Sequence, residues 1–152
     1  MNKQFELTRG QLIKFLKETD ATLFDDQPKG FNNTLRWHAG HLLVATEGFM
    51  FGFPKKSTNL SLSYIELFGM GTRPSNWKHE IPSLEKLIEQ LEDQAERVRE
   101  LPEQFFSKDL PFTFPVGNVE TFRDLFGFML YHEADHLGQM KAMKRILMSR
   151  TE

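Results

Sequence analysis

Tyr131-His132-Glu133-Ala134-Asp135-His136-Leu137-Gly138-Gln139-Met140 is the stretch on which the reading of this chain turns. Two histidines four residues apart stand about 40° from one another around an α-helix, so both rings leave from one face. Leu125, Phe128, Met129, His132, His136, Met140, Met143 and Leu147 follow helical spacing on that face, which predicts that the pair lies in an apolar seam rather than towards water. Two imidazoles on adjacent turns of such a seam are either satisfied core residues or two ligands of one metal ion. A metal site would need a third ligand from elsewhere in the chain.

Outward from this stretch the pattern is helical throughout. Asn118 is the expected cap of the last helix, which runs to about 148. Before it, 103–117 is irregular; Leu110-Pro111-Phe112-Thr113-Phe114-Pro115 suits either a short extended piece or a loop laying phenylalanines over one end of the molecule. The cleanest helix is 83–101, where Leu84, Leu87, Ile88, Leu91, Ala95, Val98 and Leu101 form one stripe, Pro82 precedes and Pro102 follows. A helix at 34–51 has Asn32 and Asn33 as N-cap candidates and an inward seam of Leu35, His38, His41 or Leu42, Ala45 and Phe49. Ala45, Gly48 and Gly52 on the flank beside His41 permit either close helix approach or a cavity. The first helix, 4–23, carries Phe5, Leu12, Ile13, Leu16 and Leu23. Between the second and third helices, 53–82 is irregular with room for a short helix at 61–68, and connections of that length are usually functional or cross over the end of a bundle. The expectation is an all-α chain, a single domain over 1–152, built as a four-helix bundle with a long connection between helices two and three.

Bulk properties narrow the function. The chain has 152 residues, 39% hydrophobic and 26% charged, with a formal net charge of −2, which supplies no basic footprint for nucleic acid. Without cysteine it has no disulfide scaffold, no thiolate nucleophile and no sulfur ligand for a metal. The first residues show no apolar signal region and no run is long and apolar enough to span a membrane, so the expectation is a cytoplasmic protein. Fifteen phenylalanines suggest a bulky core or an aromatic-lined pocket.

His132-Glu133-Ala134-Asp135-His136 also satisfies His-Glu-x-x-His literally, the zinc-protease pattern in which Glu133 would be the general base. The absence of a strand-rich half and the short remainder after His136 argue against it. Candidates for a third metal ligand are His38 and His41 on the second helix, if that helix is a neighbour of the last. Glu47, Glu133 and Asp135 read as solvated helix charges, and His79 as a surface residue.

His132-x-x-x-His136-Leu137-Gly138-Gln139, together with Trp37-His38-Ala39-Gly40-His41-Leu42, resembles the DinB/YfiT-like superfamily over essentially the whole chain. The resemblance implies a four-helix bundle, often homodimeric, with a divalent metal on three histidines. By the matching positions these are His41, His132 and His136, leaving His38 to support a ligand from behind, line the pocket or substitute as a ligand. It further implies a small-molecule substrate and thiol-dependent S-transferase or isomerase chemistry, with a low-molecular-weight thiol as cosubstrate and zinc or nickel as the favoured ion. A metal-binding stress protein without specific catalysis and a metal-dependent hydrolase are the alternatives. Arg36, Arg73, Lys78 and Arg123 are the candidates for a cationic patch holding a charged thiol, and His38 or Glu47 for the base that hydrolysis would need.

Overall fold

The computed structural model describes residues 2–150. Four long helices carry the fold: α1 (Lys3–Glu18), α2 (Leu35–Phe51), α4 (Leu84–Arg99) and α6 (Phe122–Ser149), with short helices α3 (Ser63–Phe68) and α5 (Glu103–Phe106) in the connections. Among the described residues there is no strand, only an isolated bridge between Asp109 and Thr121. The 112–114 segment is therefore a loop, and its phenylalanines pack on the end of the molecule where Phe5, Phe122 and Phe126 are buried.

Each long helix begins on a side-chain cap that accepts an otherwise unpaired backbone N–H: Asn2, Thr34, Ser83 and Thr121. Thr34 rather than Asn32 or Asn33 caps α2. Thr121 rather than Asn118 caps α6, because Thr121 and Asp124 form a reciprocal capping box three residues further on. The first helix stops at Glu18, where Thr19 turns extended and a 3₁₀ turn takes over at Ala21–Leu23.

Packing runs α1 against α4 and α6, and α2 against α4 and α6. Contacts along each pair give the directions. Phe5 meets Phe126 and Arg9 meets Glu133, so α1 and α6 are parallel. Leu43 meets Gln94 and Glu47 meets Arg97, so α2 and α4 are parallel. His38 meets His136 and Phe49 meets Phe128, so α2 and α6 are antiparallel. Two consecutive long helices that run parallel require their connection to travel back along the molecule, which accounts for the length of 52–83.

The apolar core is in two parts. One gathers Leu12, Leu16, Leu35, Leu42, Leu87, Met140 and their neighbours; the other gathers Phe5, Met50, Val98, Leu125, Phe126 and Met129. Between them lies a layer of buried polar side chains from all four long helices: Arg9, Thr46, Glu47, Gln94 and Glu133. The buried stripe of α6 is rotated from the expected one. It runs through Phe126, Met129, Glu133, Leu137 and Met140, and Phe128, His132 and His136 stand half-buried at its edge.

Candidate metal centre

Antiparallel packing of α2 on α6 brings three imidazoles together. His41, His132 and His136 each present a ring nitrogen such that all three atoms lie within 4.8 Å of one another. The Nε2 atoms of His41 and His132 are 3.2 Å apart, and the His132 and His136 ring centroids are 4.4 Å apart. His41 is buried, and the other two reach the surface in part.

The orientation of His41 is set from behind. Its Nδ1 lies 2.8 Å from the Phe68 carbonyl oxygen, an acceptor only, so Nδ1 carries the proton and Nε2 turns a lone pair towards the cluster. Phe68 reaches that position because Gly40 has no side chain: a Cβ there would come within 2.3 Å of the Phe68 ring. Trp37 lies flat on His41, with ring centroids 4.6 Å apart and planes 10° from parallel. Its indole N–H donates to Thr72, and that of Trp77 donates to the Leu67 carbonyl. The long connection is thereby tied to the histidine-bearing helix.

His38 is also at the cluster. Fully buried, it places Nδ1 2.9 Å from Nδ1 of His136, while its own Nε2 has no hydrogen-bond partner.

Glu133 is not in the site, and neither is it a solvated charge. It is 1% exposed and faces Arg9, likewise 1% exposed. Arg9 Nε and Nη2 donate to the Glu133 carboxylate, Nη1 to the Leu91 carbonyl, and Nη2 also approaches Thr46 Oγ1. A carboxylate so engaged by Arg9 is no general base for a histidine-bound ion, and the His-Glu-x-x-His reading fails on this pair. Glu47 is likewise buried rather than solvated, held by Arg97, Gln94 and Ser57. Burial works to raise its pKa, but the hydrogen bonds from Arg97, Ser57 and Gln94 outweigh it and hold the carboxyl below its usual value. Asp135 and His79 are on the surface, His79 beside Glu66. Arg9 escaped the sequence reading although Phe5, Arg9, Leu12 and Leu16 share helical spacing; an arginine at a seam position was the available signal.

The model of the DinB superfamily matches residues 4–140. The chain belongs to this superfamily. No curated protein matches it.

Electrostatics of this DinB-superfamily site keep its rings neutral. Burial, followed by repulsion from His41 and His132, lowers the pKa of His38 to about 4. Burial and the neighbouring His41 lower that of His132 to about 4. Burial and the other three rings lower that of His136 to about 3. His41 is also lowered by burial, opposed by the Phe68 hydrogen bond. Neutral imidazoles with converging lone pairs are the form a metal ion requires, so the donor set present fits a divalent ion.

The walls are mostly aromatic. Phe128 stacks near His132, and Phe49 and Phe114 complete an edge-to-face group with it. On the Gly48 and Gly52 flank of α2 the small residues leave open space rather than close helix contact: a cavity of about 300 Å³ bounded by Val44, Leu60, Ile65 and Met70. Of the basic residues considered for a thiol-binding patch, Arg36 is engaged by Asp25 and the Pro82 carbonyl. Arg123 pairs with Glu103, roughly 14 Å along α6 from His132 at 1.5 Å per residue. Arg73 and Lys78 are exposed.

Proposed function

We propose that His41, His132 and His136 hold a divalent metal ion, zinc or nickel by the preference of imidazole donors, and that the protein is a metal-dependent S-transferase joining a low-molecular-weight thiol to an apolar electrophile. The convergence of three neutral imidazoles, with the His41 tautomer set by Phe68, carries the metal assignment. An ion on three neutral ligands keeps positions open and favours the thiolate form of a bound thiol. The protein contributes orientation: Phe68 and Trp37 hold His41, and Phe49, Phe114 and Phe128 give His132 an aromatic wall. In the transfer the external sulfur forms a bond to carbon, the leaving group departs with its electron pair, and the thiol proton passes to solvent. Support for a thiol over water as nucleophile comes from Glu47, one of the two residues considered as a hydrolytic base, which is bound by Arg97. We take the four long helices as the four-helix bundle of the family and the working unit as a homodimer in the cytoplasm.

One observation favours a second reading, metal binding without catalysis. Arg36 and Arg123 are committed to other partners, which leaves only Arg73 and Lys78 of those considered for a charged thiol.

The test is metal content by mass spectrometry on untagged protein, then conjugation of model electrophiles with several biological thiols, with and without zinc, nickel or manganese. Stoichiometric metal lost in His136→Ala and metal-dependent conjugation are the expected results. Undiminished metal affinity in His136→Ala overturns the site. Metal without conjugation leaves the binding-only reading.

A further inference from the structure

We infer that His38 is a positioning residue that selects the metal-binding tautomer of His136; the inference rests on the three-histidine reading of the site. His136 has two ring nitrogens, and its Nδ1 is engaged by His38 Nδ1 at 2.9 Å. That leaves Nε2 as the nitrogen available to an ion shared with His41 and His132. For Nε2 to offer a lone pair to an ion, Nδ1 must carry the proton. It then donates to His38, and His38 Nδ1 must be the acceptor.

The consequence for His38 is fixed by valence. A neutral imidazole accepting on Nδ1 holds its proton on Nε2, and that atom is buried with no partner. A buried unpaired donor is a cost to folding. A residue chosen for packing alone would not leave an orphaned nitrogen at so deeply buried a position, beside the Trp37 ring edge-on at 5.2 Å. His38 thus stands to His136 as the Phe68 carbonyl stands to His41. Two of the three rings have a built acceptor behind them, and the third, His132, stands at the open side.

The experiment compares His38→Leu and His38→Asn with the native chain. Asparagine places a carbonyl oxygen near the Nδ1 position and can accept from His136; leucine fills the space and cannot. Zinc affinity is measured by competition with a chromophoric chelator, and the visible spectrum of the cobalt(II) form reports coordination. Unfolding of the metal-free forms is the control. His38→Leu is expected to bind zinc about 10- to 100-fold more weakly, while its metal-free melting temperature is unchanged or higher because the orphaned nitrogen is gone. His38→Asn should recover most of the affinity. A role in packing alone predicts the reverse, a lower melting temperature with unaltered zinc affinity, and that result overturns the inference. A cobalt spectrum of the native chain showing four histidine nitrogens rather than three also overturns it, by making His38 itself a ligand. If the native chain binds no zinc, or binds it equally well after His41→Ala, the metal reading fails instead.

Discussion

Arg9 and Glu133, 124 positions apart in sequence, form a buried pair between α1 and α6. With Leu91 and Thr46 as further partners of the same guanidinium, one side chain joins all four long helices at the layer dividing the two apolar clusters. Removing one member leaves a buried charge, which costs about 3–5 kcal/mol, whereas replacing both with apolar groups is often neutral. Arg9→Met and Glu133→Gln are each expected to be destabilised by that order. Arg9→Met/Glu133→Leu should recover most of it, measured by urea unfolding.

Gly40 and Gly48 lie on one helix and should respond oppositely to alanine. At Gly40 a Cβ meets the Phe68 ring at 2.3 Å, whereas at Gly48 nothing lies within 4 Å. Gly40→Ala must displace Phe68, and with it the carbonyl that orients His41; about 1–3 kcal/mol of stability is the expected loss, together with weaker zinc binding. Gly48→Ala should gain up to about 1 kcal/mol from helix propensity. Equal effects in thermal unfolding would contradict the packing described.

Acid should destabilise the metal-free protein earlier than carboxylates alone can explain. His38, His132 and His136 titrate near 6.5 when unfolded and near 3 to 4 in the fold. Between those values the unfolded chain binds more protons, so stability is complete above pH 6.5 and is lost as pH falls through the window. Unfolding midpoints in the presence of a chelator should drop between pH 6.5 and 5, above the range where carboxylates titrate. A flat profile there would contradict the neutral cluster.

Ion removal should be visible in stability. A ligand that binds only the folded state adds RT ln(1 + [L]/Kd), about 2.7 kcal/mol at a hundredfold excess over Kd. Chelation of the zinc-loaded protein should lower its melting temperature, and the same treatment should leave His132→Ala unmoved.

Periodicity made the four long helices and the facing of His132 and His136 on one side legible in the sequence, because helix faces follow from spacing alone. It did not tell His41 from His38: both lie on α2, and which ring meets His132 depends on the depth to which two helices slide past each other. Only the family pattern separated them. Glu133 and Glu47 were misread for a different reason. Their charge suggested water, but the arginines that neutralise them lie on other helices, and such pairing leaves no local trace. The displaced stripe of α6 has the same origin, since Glu133, whose charge points to water by composition, sits at its centre. Caps were off by one to three residues because Asn and Thr compete for that position along neighbouring turns.

The face-to-face placement of Trp37 on His41 gives the protein an internal light source stacked on a proposed ligand of the ion. Indole emission is extinguished by nearby copper or nickel and spared by zinc. Titration of a Trp77→Phe chain, in which Trp37 is the sole indole, would therefore read copper or nickel occupancy directly from fluorescence, with no added dye.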